Sequence, residues 1–227
     1  MSNYKYILFD ADDTLWENEW YFRDAERKFS ELFKDYASKE EIVHTLWKKQ
    51  EDNIPMFGYG SKTYLIGMLD TAHELYKAPL PEDLYLQVKQ IIQDLAFHEL
   101  QVYEGVEETL AALSQKYRLA VVTKGDLTEQ LTKYQKSGLS KYFHHIEVVP
   151  NKSPEDYYGV ISKLDIEPKD ILMVGNSVRS DIAPVIEIGA TAVYIPSENI
   201  WIHEVMDLPS SERIIELSKI NQLLEIL

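Results

Sequence analysis

Five short apolar runs, KYILF (5–9), RLAVVT (118–123), HIEVVP (145–150), ILMVG (171–175) and TAVYIP (191–196), recur between stretches of helical character. Each is of strand length, and the links between strand and helix are short. Strand, helix, strand in repetition constrains the chain to a parallel sheet covered by helices on both faces. The helices carry their own signals. VEETLAALSQKY follows Gly105, and Asp126 with Glu129 resembles a capping box opening a helix that Gly138 closes. Ser153 and Pro154 suit the N-cap and first position of PEDYYGVISKL. RSDIAPVIEIG reads as helix between the last two runs, and the tail ELSKINQLLEIL as a final helix.

The first run is separated from the second by a block without strand signals. Residues 17–36 place Trp20, Ala25, Phe29, Leu32 and Phe33 at helical spacing. KEEIVHTLWKKQ (39–50) predicts a second helix, MFGYG (56–60) a glycine-broken loop, and Ser61 a cap for a third helix ending near Tyr76. Pro79 and Pro81 break the chain again before a fourth helix over 82–98. The expected division is an α/β domain, 1–16 with 101–227, and an inserted all-helical domain, 17–100. Phe57 and Tyr59 in the glycine-broken loop are candidates to line a pocket.

At 227 residues, with 45% hydrophobic and 11% aromatic content, the chain can bury a real core. It has no cysteine, which excludes disulfides and thiolate metal sites. No apolar run approaches the roughly 20 residues of a membrane span. MSNYKYILFD enters a strand without secretory-signal features, so a cytoplasmic protein without membrane attachment is expected. A formal net charge of -15 argues against nucleic acid as a partner. It also requires local cations to overrule the overall repulsion if the substrate is an anion. Oligomeric state is not legible.

Ligands of such sheets bind at the carboxyl ends of the strands. Four polar stretches meet there: Asp10–Thr14, Thr123–Asp126, Asn151–Pro154 and Gly175–Asp181. In ILFDADDTLW, Asp10, Asp12 and Asp13 crowd behind the first strand, where like charges repel. A hard divalent cation resolves the crowding, because Mg2+ takes oxygen ligands from carboxylates, waters and substrate phosphate. Asp10, Asp12 and Asp181 supply such oxygens, as does the Asn176 amide. Lys152 adds positive charge before a helix N-terminus, Thr123 a hydroxyl, and the Lys124–Gly125 turn backbone N–H groups for substrate. A phosphoryl group fits among them. Asp13 reads as solvated turn decoration, and Arg179 as a solvated helix-start residue.

At these residues the chain resembles the haloacid dehalogenase-like (HAD) superfamily. DADDT is similar to its first motif, Asp-x-Asp-x-Thr after an apolar strand, and VVTKGD resembles the second. Lys152 in NKSPEDY is similar to the third-motif lysine, and MVGNSVRSDI to the fourth motif, usually Gly-Asp-x-x-x-x-Asp. The resemblance implies a doubly wound, Rossmann-like core with a helical cap between motifs one and two that closes over the site. It implies Asp10 as a nucleophile forming an aspartyl-phosphate, and Asp12 as the acid and then the base. Thr123 and Lys152 would bind phosphoryl oxygens, and Thr14 would support the first loop. Mg2+ would be held by Asp10, the backbone carbonyl of Asp12, and the fourth motif through Asn176 or Asp181.

Family members that dehalogenate carbon lack an acid two positions after the nucleophile. Asp12 therefore favours phosphatase chemistry on a small phosphorylated metabolite. The alternatives are a dehalogenase, a phosphonatase using a cap lysine such as Lys62, and a non-catalytic phosphometabolite-binding module. Asn176 departs from the usual Asp, bringing an oxygen without charge.

Overall fold

The computed structural model describes residues 4–197, 199 and 201–227, apart from the His203 side chain. Positions 1–3 of the opening stretch thus lie outside the described residues. The order is β1 (Tyr6–Phe9), α1 (Glu19–Leu32), α2 (Lys39–Phe57), α3 (Ser61–Tyr76), α4 (Glu82–Ala96) and α5 (Val106–Leu113). Then come β2 (Arg118–Lys124), α6 (Leu127–Lys136), β3 (His145–Val149), α7 (Pro154–Leu164) and β4 (Ile171–Gly175). The chain ends with α8 (Ala183–Glu187), β5 (Thr191–Tyr194), β6 (Ile214–Glu216) and α9 (Leu223–Ile226).

The six strands form one sheet in the order β3-β2-β1-β4-β5-β6, with every neighbouring pair parallel. The central strands β1 and β4 are continuously apolar because both faces are buried. Ile7, Phe9, Leu119, Val121, Leu172 and Val174 pack with Val106, Leu110 and Leu113 of α5 on one face. Tyr6, Leu8, Ala120, Val122, Ile171 and Met173 pack with Tyr157, Val160 and Ile161 of α7 on the other. Successive residues of each strand alternate between these two cores, as the pleat requires. Each such Leu, Ile or Val contributes roughly 1.5–3 kcal/mol relative to exposure. This is the doubly wound α/β fold expected from the sequence.

Strand order reverses between β1 and β4, the switch point at which such sheets bind ligands. Phe9 pairs with Val121 on one side and Val174 on the other, so the chain leaves β1, β2 and β4 side by side.

Two compact units form, one of Met1–Glu19 with Leu100–Leu227 and one of Trp20–Glu99. The helical unit buries Phe29, Phe33, Ile42, Leu46, Met68 and Val88 in a core of its own. Both connecting segments are tied to the sheet unit. Glu17 N–H bonds the Gln101 carbonyl at 2.9 Å, and Tyr103 N–H bonds the Leu15 carbonyl at 3.0 Å. Among the described residues no helix is long and apolar enough to cross a membrane.

Local structure departs from the sequence expectation at four places. α2 runs past residue 50 to Phe57, with Pro55 in its last turn. Gly58, at φ 75, stops it by bonding its N–H to the Ile54 carbonyl at 2.8 Å. Phe57 is therefore helical, not part of a loop, and Gly60 rather than Ser61 occupies the N-cap of α3. The expected helix RSDIAPVIEIG begins as a π-helical turn, Val178–Ile182. Pro184 has no N–H for the Ser180 carbonyl, which accepts the Tyr157 hydroxyl at 2.9 Å instead. The tail is not one helix either. Just ahead of it Ile214 and Ile215, for which the sequence carries no expectation, pair with Ala192 and Val193 as an edge strand that takes in Glu216. The N–H groups of Ser218 and Lys219 then close on Gln222 Oε1 at 2.8 and 3.1 Å, leaving only a short 3-10 turn and α9.

Candidate active site

Asp10 follows β1 directly, with its N–H bonded to the Val174 carbonyl of β4 at 2.9 Å. Its carboxyl group thus stands at the switch point. Thr14 Oγ1 lies 3.0 Å from Asp10 Oδ2 and 3.1 Å from Asn176 Oδ1. Lys152 Nζ closes on Asp10 Oδ1 and donates to Asp181 Oδ1 at 2.7 Å. Asp181 Oδ2 accepts the Ser177 N–H at 2.9 Å. Asp10, Lys152 and Asp181 are all buried, so two carboxylates share one ammonium away from water.

That arrangement sets the local electrostatics. Burial pushes Asp10 up to about 7 against the pull of Lys152, with Asp181 adding repulsion. Asp181 is raised by burial as well, again opposed by Lys152. Burial works against the Lys152 charge, but Asp10 and Asp181 outweigh it and hold this lysine well above the usual range. Lys152 also adopts φ 58, a left-handed conformation rare outside glycine. Its two carboxylate contacts hold the backbone there.

Asp12 turns to other partners. Its Oδ1 accepts Trp16 Nε1 at 2.7 Å and Lys133 Nζ at 2.6 Å. Its Oδ2 accepts Lys133 Nζ at 2.7 Å and Gln130 Nε2 at 2.8 Å. Burial raises its pKa, but Lys133 and the other donors win and hold it below the usual carboxylate range. Thr123, buried at the end of β2, lies with its Oγ1 2.9 Å from the same Gln130 nitrogen.

Lys124, whose turn with Gly125 is expected to offer backbone N–H groups to substrate, has its ammonium paired with Glu204, 3.0 Å from Ser180 Oγ and over the Trp201 ring. Its charge is already answered. Asp13 is not solvated decoration: it is half-buried at φ 60, and its Oδ1 accepts the N–H groups of Asn18 and Glu19 at 2.9 and 3.0 Å. It thereby satisfies the first donors of α1. Arg179 is exposed. Gln130, Lys133 and Glu204 carried no sequence motif. The available signal for the first two was their i,i+3 spacing on a helix whose N-cap, Asp126, lies just past the strand end.

Among the described residues no three His, Asp or Glu side chains form a group set to hold a metal ion. The oxygens of Asp10, Thr14 and Asn176 nevertheless share a corner with one hydroxyl proton between two acceptors. Two carboxylates on one ammonium leave negative charge beside it. An oxygen-only corner of this kind fits a hard cation that keeps several of its waters.

Residues 4–189 match the family described as haloacid dehalogenase-like hydrolase. A crystal structure of a haloacid dehalogenase-like family hydrolase from Xanthomonas campestris superposes with a TM-score of 0.89 at 33% identity, covering 99% of this chain and 90% of that one. A HAD-hydrolase from Bacillus subtilis, solved bound to magnesium, shares the fold at 21% identity and a TM-score of 0.66, with 99% of each chain covered. Among curated proteins, a glyceraldehyde 3-phosphate phosphatase of Methanopyrus kandleri is 22% identical over 198 residues, 84% of this chain and 83% of its own. With more than half the chain matched by the family and a relative of 33% identity along nearly its whole length, this protein belongs to the haloacid dehalogenase-like hydrolases.

Proposed function

We propose that the protein hydrolyses a phosphomonoester of a small metabolite, with Asp10 as nucleophile and Mg2+ as cofactor. The observation that carries this reading is the joint placement of Lys152 on Asp10 and Asp181 at the end of the sheet, with Thr123 and Asp12 close by. Asp10 has one oxygen on Lys152 and one on Thr14, which fixes the carboxylate for attack. Attack forms an Asp10–phosphorus bond and breaks the ester P–O bond. Asp12, once released by a donor and protonated from solvent, gives that proton to the departing oxygen. It then takes one from the water that attacks phosphorus and frees Asp10, which returns Asp12 to its protonated form. Lys152 and the Thr123 hydroxyl bind the phosphoryl oxygens as charge builds on them. Asp10, the Asp12 carbonyl and Asn176, with Asp181 behind them, would hold the Mg2+, which supplies positive charge to the phosphoryl oxygens when bound.

Phosphatase chemistry is preferred over dehalogenation because an alcohol leaving group needs an acid, and this chain carries Asp12 two positions after Asp10, able to serve once a donor on its carboxylate yields. Phosphatase relatives of low identity, including the Methanopyrus kandleri protein, support the class of substrate without naming it. The test is hydrolysis of p-nitrophenyl phosphate with Mg2+ and with a chelator, beside Asp10→Asn, followed by a panel of phosphorylated metabolites. Turnover is expected only with metal and an intact Asp10. Turnover that survives Asp10→Asn overturns the reading.

A further inference from the structure

The face of α6 turned to the strand ends carries Gln130 and Lys133, and both grip Asp12. Lys133 Nζ bridges its two oxygens at 2.6 and 2.7 Å, Trp16 adds a bond to Oδ1, and Gln130 adds one to Oδ2. A carboxylate offers about four acceptor sites. Asp12 is therefore saturated, with none left for a leaving group or a water. Lys133, which bonds both oxygens, also reaches Asn18 Oδ1 at 3.2 Å.

The Gln130 amide is oriented by three oxygens around Nε2: Asp12 Oδ2 at 2.8 Å, the Lys124 carbonyl at 2.7 Å and Thr123 Oγ1 at 2.9 Å. The reverse orientation would set a carbonyl against two groups that can only accept. Nε2 has two hydrogens, which go to those two acceptors. Thr123 cannot donate to an amide nitrogen, so its hydroxyl hydrogen is left for another oxygen. The amide takes this place because residue 125 is glycine: a Cβ there would lie 3.0 Å from Nε2. One side chain thus joins the phosphate-binding hydroxyl to Asp12.

We propose that Gln130 and Lys133 are positioning residues of the reaction, holding Asp12 in register with Thr123 and freeing one of its oxygens when a phosphoryl group engages that hydroxyl. The proposal rests on the reading of Asp12 as the acid–base group. Lys133 is the donor that yields: it gives up one carboxylate oxygen and keeps Asn18, while Trp16 and Gln130 fix the carboxylate plane. Neither residue is required to touch the substrate.

A double-mutant cycle on the whole chain tests it, with kcat and KM measured for Asp12→Asn, Lys133→Met and the two combined. Lys133→Met is expected to lower kcat roughly 10- to 100-fold, as a misplaced catalytic group does. KM is expected to move by less than about threefold, and the combined variant to be no slower than Asp12→Asn alone. Lys133→Arg should recover part of the loss. An unchanged kcat, a loss confined to KM, or losses that multiply in the combined variant each overturn the proposal. Full activity of Asp12→Asn instead overturns the acid–base assignment, a result separate from those of Lys133. Thermal melts accompany each variant. If Lys133→Met does not fold, Gln130→Asn, which withdraws the amide by one methylene, is expected to lower kcat in the same way, and full activity there counts against the proposal.

Discussion

Gly175 lies so close to Asp181 that a Cβ on residue 175 would stand 2.3 Å from the Asp181 Cγ and Oδ2. The glycine is needed here for close approach at the end of β4, not for a turn. Gly175→Ala must push the carboxylate off Lys152 or shift the strand. Such overpacking costs about 1–3 kcal/mol. Urea unfolding should show this loss together with reduced phosphatase activity. A variant as stable and active as wild type means that Asp181 has room to retreat.

Lys152 is expected to be the most costly single charge to remove. Lys152→Met leaves Asp10 and Asp181 buried without their shared counter-ion, and breaking a buried pair in this way costs roughly 3–5 kcal/mol. Removing one of the orphaned charges should return part of that stability, so Lys152→Met with Asp10→Asn is expected to unfold at higher urea than Lys152→Met alone. Equal midpoints for those two proteins count against the buried-charge account.

In the helical unit, Trp47 Nε1 donates to Glu26 Oε2 at 2.8 Å. Burial pushes Glu26 above the usual glutamate range, opposed by that bond and by Lys39 and Arg23. The folded chain therefore keeps this proton to higher pH than the unfolded chain does. The stability contribution of Glu26 is present in full below its unfolded pKa and is lost as pH rises through the folded value. Glu26→Gln keeps an acceptor for Trp47 and does not titrate. Its stability relative to wild type should grow as pH rises above about 4, the range in which the unfolded glutamate ionises. A difference that is flat or falls with pH shows that burial does not dominate at Glu26.

Sheet and site were legible to different depths. Strands buried on both faces leave continuous apolar runs, so β1 to β5 and the residues just past them stood out. Asp10, Thr123, Lys152, Asn176 and Asp181 were singled out as candidates by that logic, because a polar residue near the end of an apolar strand has few other reasons to be there. Gln130 and Lys133 were not, since polar residues on an amphipathic helix look like a solvated face until the helix is placed. Glu204 reaches back to Lys124 across 80 residues of chain, and no local pattern encodes such a pair. Asp13 resembled any turn carboxylate, because the donors it satisfies arise only once α1 begins at Glu19. β6 was missed because a three-residue edge strand carries too few residues to show a period.

Asn176 sits where the family usually has Asp, and it bears on the metal most directly. Its Oδ1 accepts the Thr14 hydroxyl beside Asp10, which puts a neutral oxygen in the corner we assign to Mg2+. Cation affinity in such sites follows the charge of the ligands. Asn176→Asp adds a charge at constant size, and the Thr14 hydroxyl can serve either side chain. Mg2+ binding to the whole chain, measured by isothermal titration calorimetry, is expected to tighten by roughly tenfold or more. Phosphate release need not quicken, because the added charge also repels the substrate. An unchanged Mg2+ affinity places residue 176 outside the ligand set and leaves the fourth-motif contribution to Asp181.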